Sequence, residues 1–176
     1  MQTVAVVLCS VFLILHVICM HAKASECMSI DNLFPLRLRE LRKHFDDIKD
    51  HFQGNDHDHD ILLLDEELLT GLKGHNGCNL MTDVINFYLM DILPHVNNED
   101  KTINKKISFI ENILHGIKET MHRCHNFFFC DKKSKVMMQI KDTFKKLQEK
   151  GIIKAVGELD IFFDYIEEYV NSRKKI

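Results

Sequence analysis

The chain has 176 residues, 28% of them charged and 45% hydrophobic, and its 23 Lys and Arg against 26 Asp and Glu give a formal net charge of −3. So balanced a charge argues against nucleic acid or anionic membrane as a partner, because both require a concentrated basic face. Two prolines and seven glycines leave few breaks and no strand-like alternation occurs, so the patterns support an all-α bundle.

Residues 1–24 read as a secretory signal. The stretch 4–20 is almost wholly apolar, interrupted by Ser10 and His16, and Ala22-Lys23-Ala24 forms an A-x-A cleavage site. No Lys or Arg precedes the apolar run. A retained membrane anchor is the alternative, but the run is at the short end for spanning and no basic cluster follows it. Cleavage predicts a secreted chain starting at Ser25, with 25–176 as one domain burying about 68–70% of its unfolded surface. Cys9 and Cys19 leave with the signal, and Cys27, Cys78, Cys124 and Cys130 remain. An even number in a secreted chain implies two disulfides, and spacing leaves every pairing open. Zinc is the other use of cysteine, but no C-x-x-C pair supports it.

The first predicted helix follows Pro35, a residue suited to a helix start. Leu38, Leu41, Phe45, Ile48 and Phe52 recur along it at helical spacing and form a core stripe. Gly54 opens a polar loop, GNDHDHD, that leads into the apolar run 61–64 and a short helix through Leu72. Gly71, Gly74 and Gly77 then loosen the chain. A third helix runs from about 78 to 93 and stops at Pro94. Beyond the polar connection 97–101, Ile103, Ile107, Ile110, Leu114, Ile117, Met121 and Cys124 give the cleanest amphipathic signal in the chain. Phe127-Phe128-Phe129 sits between the last two cysteines. A fifth major helix carries Val136, Ile140, Phe144 and Leu147. Gly151 is expected to hinge it to the last, since glycine accepts the left-handed conformation that closes a helix.

That last helix places Ile152, Val156, Leu159, Phe163, Ile166 and Val170 on one face, with Ile153, Ile161, Phe162, Tyr165 and Tyr169 flanking. A helix apolar around so much of its girth needs partners on several sides. The basic run Arg173-Lys174-Lys175 is expected to complement its own carbonyl end. Six helices result, one of them short.

Beside the apolar stripe of the first helix runs a polar one, Arg39, Arg42, Asp46, Lys49 and Gln53, partly exposed on a rigid element. Taken alone it reads as a solvated charged face. The last helix carries Asp160, Asp164, Glu167 and Asn171, and the two stripes could also pair with each other. His57 and His59 among Asp56, Asp58 and Asp60 offer a weak divalent-ion site. A structural zinc needs four oriented ligands, so a solvated loop is the better reading. Scattered His115, His122 and His125 receive no role. Neither a nucleophile elbow nor a phosphate loop is present, so no catalysis and no cofactor are expected, and no N-x-S/T sequence occurs.

The run LQEKGIIKA followed by DIFFDYIEEY resembles the interleukin-10 family of helical cytokines. The resemblance recurs at Lys73, four residues, Cys78, then Val84-Ile85, Phe87-Tyr88-Leu89 and Asp91-Ile92-Leu93, with Asn79 departing from the family preference for Gln, Tyr or Cys. LRELRKHFDDIKDHFQ is similar to the family's first helix, and the likeness spans about residues 27–170. It implies the pairings Cys27–Cys124 and Cys78–Cys130. It also implies a six-helix cytokine bundle in an intertwined homodimer, the last two helices of each chain completing the partner's bundle. Such exchange buries far more than a standard interface of ~1,600 Å².

Receptor contacts are implied at Arg39, Arg42, Lys49 and Gln53 on the first helix and at Lys154, Glu158 and Asp160 on the last. Arginine suits this task because its planar fork binds carboxylates bidentately. Gly157 stands where the family has serine and Asp164 where it has asparagine, which alters the detail of recognition. The implied function is a secreted immunoregulatory ligand of the interleukin-10 receptor. Its homodimer would engage alpha chains through the first helix, the following loop and the last helix, then recruit beta chains and their Janus kinases. One alternative is a receptor-binding antagonist or viral mimic without the beta-chain contacts. Another is a helical carrier of a small apolar ligand, disfavoured by a core so rich in large side chains.

Overall fold

A computed structural model describes residues 30–74, 77–123 and 135–173 of the chain. The expectations for the signal, for Cys27, Cys124 and Cys130, for the 127–129 aromatic run and for Lys174 and Lys175 lie outside the described residues. Within them the chain is helical with no strand. The segments are α1 Ile30–Asp46, α2 Lys49–Asn55, α3 Glu66–Lys73, α4 Gly77–Phe87, α5 Lys101–Arg123, α6 Lys135–Leu147, α7 Lys150–Gly157 and α8 Leu159–Arg173.

Two helices expected as single rods are each broken in two. The first begins at Ile30, so Pro35 lies within α1 rather than at its start. Near Ile48 the ladder tightens to a three-residue step, Ile48 N–H to Phe45 O at 2.9 Å, before α2 resumes. The break leaves the buried face unbroken: Leu38, Leu41, Phe45, Ile48 and Phe52 are all inside. The last helix breaks at Glu158 between α7 and α8.

The hinge between α6 and α7 also differs from expectation. Gln148, not Gly151, takes the left-handed conformation, with φ 51°, and no described glycine has positive φ. Gly151 serves close approach instead: a Cβ there would stand 2.8 Å from the Phe144 ring. The turn therefore falls on a residue for which left-handed backbone costs roughly 1–2 kcal/mol.

At the end of α4 the helix widens to a π turn, Tyr88–Ile92, and then tightens to a 3₁₀ turn, Leu93–His95. Pro94 explains the irregularity. It has no N–H to donate, and in a regular helix its ring would strike the carbonyl four residues earlier.

α8 packs against α1, α3 and α4, while α1 also packs on α5 and α2 lies beside α7. The apolar girth of α8 is covered accordingly, with Leu159, Phe162, Phe163, Ile166, Tyr169 and Val170 buried. Tyr88 stacks on Phe162 at 4.6 Å, and Phe45 meets Phe163 edge-on at 6.0 Å. Each such ring removed from water contributes about 1.5–3 kcal/mol. The Tyr88 hydroxyl donates to Ala155 O at 3.0 Å, and burial pushes its pKa well above the ordinary tyrosine value. Arg173 stands over the Tyr169 ring of its own helix, 5.1 Å from the centroid, and reaches beyond that helix. Its guanidinium donates to Leu72 O and Gly74 O, at 3.3 and 2.7 Å, and so closes the carbonyl end of α3. Among the described residues no helix is long and apolar enough to cross a membrane.

Candidate functional site

The polar stripe of α1 and α2 and that of α8 meet side by side. Arg42 Nη2 donates to Asp164 Oδ1 at 2.8 Å and to Glu167 Oε2 at 2.6 Å. Partial burial works to lower the Arg42 pKa, but those two hydrogen bonds and charges outweigh it and raise the value. Gln53 Nε2 donates to Gly157 O at 3.1 Å and to Asp160 Oδ2 at 3.0 Å. Lys49, at the start of α2, pairs locally with Asp46 Oδ1 at the end of α1, at 3.0 Å, and Arg39 is exposed. Of the residues singled out in the sequence, then, Arg42, Gln53 and Asp160 are joined across elements, and Arg39 and Lys49 extend the same face.

Lys154 and Glu158 lie elsewhere. They are only 3% and 4% exposed, beneath the face rather than on it. The Lys154 ammonium donates to Asp56 Oδ2 at 2.8 Å and Asp58 O at 3.1 Å, and stands 3.5 Å from Glu158 Oε1. Glu158 accepts from Leu63 N at 3.1 Å and Leu64 N at 2.9 Å. Burial raises the Glu158 pKa, against the opposing pull of these N–H groups and Lys154. For Asp56, burial acts upward, but the Lys154 hydrogen bond and the Asp58 N–H outweigh it and hold the carboxyl below its ordinary value. The Lys154 ammonium is raised in turn, its partners overcoming desolvation.

The sequence reading missed what these groups do. They hold the irregular 56–65 segment between α2 and α3, which Tyr165 also grips through its hydroxyl, donating to Asp65 O at 3.0 Å. Asp56 and Asp58 of the histidine-rich loop thus face Lys154 and Lys150, the latter pair at 3.1 Å. Helical spacing could have hinted at it, since residues 154, 158 and 165 share one face. Cys78 is buried and disulfide-bonded, and Cys27, Cys124 and Cys130 lie outside the described residues.

Comparisons with known proteins bear on the family and the fold. The family model described as Interleukin 10 matches residues 5–172. Interleukin-10 of Gallus gallus is 42% identical over 170 residues, covering 95% of this chain and 97% of that protein. Interleukin-10 of Felis catus is 43% identical over 151 residues, covering 86% and 84%. Among solved structures, human interleukin-19 superposes with a TM-score of 0.63 at 22% identity, over 75% of this chain and 88% of that one, a likeness of fold.

Proposed function

The chain belongs to the interleukin-10 family of helical cytokines, and from that premise we propose that it is an anti-inflammatory ligand that gathers interleukin-10 receptor chains on a homodimer. As a cytokine it works by binding, not by catalysis. Residues 1–24 are its secretory signal and 25–176 its cytokine domain. The alpha chain docks on α1, α2, the 56–65 segment and α8: Arg39, Arg42, Lys49 and Gln53 on one side, Asp160 on the other, Lys154 and Glu158 beneath. Beta chains then join and bring Janus kinases together.

One observation supports this reading above the rest. Bonds from Arg42 to Asp164 and Glu167, and from Gln53 to Asp160, merge two stripes far apart in sequence into one continuous mixed-charge face. Exposed pairs of this kind stabilise a fold by only about 0–1 kcal/mol, so internal pairing gives the face little stabilising role. Charge reversal, Arg42→Glu, separates the two roles. We expect unfolding free energy to change by less than about 1 kcal/mol, while titration against purified alpha chain shows weakened binding. Unchanged binding with lost stability would reduce the face to an internal ion-pair network.

The homodimer forms by exchange of α6–α8, held with the disulfides Cys27–Cys124 and Cys78–Cys130. In the single chain those helices pack on α1–α4, and exchange would make the same contacts between two chains. Mass measurement in solution and disulfide mapping of the intact protein test this part. A stable monomer, or other pairings, would overturn it.

A further inference from the structure

We infer that Glu158 is a positioning residue, whose buried carboxylate fixes the 56–65 segment so that Ile61 and Leu62 project as the apolar anchor of the docking face. This rests on the reading of that face as the receptor surface. Ile61 and Leu62 are 36% and 54% exposed, whereas Leu63 and Leu64 beside them are buried. Two exposed large apolar side chains, on a segment tied to Glu158 next to the Gly157 whose carbonyl accepts from Gln53, have the make-up of an interface anchor with polar contacts nearby.

The segment's own backbone supplies a turn bond, Ile61 N–H to Asp58 O at 3.0 Å, but forms no regular helix or strand that would hold Leu62 and its neighbours in register. Three side chains, one from α7, one at the break between α7 and α8, and one from α8, add to that bond. Lys154 grips its start through Asp56 and Asp58 O. Glu158 takes its middle: Oε2 accepts from both Leu63 N and Leu64 N, and Oε1 accepts from Leu63 N. Tyr165 closes its end on Leu64 O and Asp65 O. Both carboxylate oxygens of Glu158 are thus engaged from inside, and a receptor group could reach them only by displacing the segment. An apolar residue would pack here without the penalty of burying a charge. What the carboxylate alone supplies is acceptance of two successive N–H groups, which sets the register and so decides which leucines face inward.

A double-mutant cycle tests this, with Glu158→Ala and Leu62→Ala titrated against purified interleukin-10 receptor alpha chain. Leu62→Ala is expected to weaken binding about tenfold, as loss of an anchor does. Glu158→Ala should weaken it comparably, and the double variant no further than the weaker single. Hydrogen exchange at the Leu63 and Leu64 amides should accelerate in Glu158→Ala, remain slow in Leu62→Ala, and be partly restored by Glu158→Gln, which keeps an acceptor oxygen. Losses that multiply in the double variant would make Glu158 a direct contact and overturn the inference, as would amides still protected without the carboxylate. Should Glu158→Ala fail to fold, Tyr165→Phe loosens the same segment by one hydroxyl and enters the same cycle. If the parent protein itself does not bind the alpha chain, the docking reading fails, and amide exchange alone decides whether the segment is pinned as described.

Discussion

Replacing Lys154 by Met keeps the apolar stem but strips the cation from between Asp56 and Glu158. Removing one partner of a buried pair costs about 3–5 kcal/mol when the other charge is stranded. Asp56 can regain water, since its side chain is partly exposed, so the stranded charge is that of Glu158. Glu158 has an escape in protonation. From its ordinary value of 4.5, that escape costs about 1.4 kcal/mol for each pH unit. The part of the deficit that comes from Glu158's stranded charge is therefore capped near ~3 kcal/mol at about pH 7 and near ~1 kcal/mol at about pH 5.5.

The parent's own titrations do not reverse this trend. Lys154 is raised, so its contribution is fully present below 10.5 and is lost only as pH climbs through its folded value. Asp56 is lowered, so its contribution is present above 3.8 and is lost only as pH falls through its folded value. Glu158 is raised already in the parent, and stability from it grows as pH drops toward 4.5. The variant's Glu158, without its cation, takes up its proton at still higher pH, so the gap between the proteins narrows on acidification. Urea unfolding of both, disulfides intact, at the two pH values measures the gap. A deficit that is the same at both, or smaller than ~1 kcal/mol at about pH 7, would show that water reaches these groups and would refute the reasoning.

Two glycines should respond in opposite directions to the same substitution. Gly151→Ala drives a methyl against the Phe144 ring at 2.8 Å and should destabilise by about 1–3 kcal/mol in chemical unfolding. Gly116→Ala, within α5 where a Cβ meets nothing inside 4 Å, should stabilise by about 0.8–1 kcal/mol and raise the melting temperature.

Helical periodicity made most of the bundle legible. The stripe of the first helix and that of α5 through Met121 are buried as read, because an amphipathic rod has one side to hide and its spacing announces which. Local irregularities were not legible, because each depends on a neighbour distant in sequence. Gly151 looked like a hinge until the Phe144 ring against it explained its missing side chain, which left the turn to Gln148. Arg173 looked like a cap for its own helix and instead reaches the α3 carbonyls, about a hundred residues earlier. Lys154 and Glu158 carry charges that pattern reading assigns to solvent. They are inside because a segment lying 94–98 residues upstream supplies their hydrogen-bond partners. The polar stripes were readable as stripes, but that they touch through Arg42 and Gln53 is a property of packing alone.

The links from Arg42 and Gln53 to Asp164, Glu167 and Asp160, and from Leu63 and Leu64 to Glu158, all cross from the chain's first half to α8 or to the break that precedes it. In a swapped pair, neither copy would own a complete recognition patch, since each patch would draw one flank from either molecule. Dilution past the dissociation point would then abolish recognition and architecture in the same step. Potency would follow assembled pairs, not total chains.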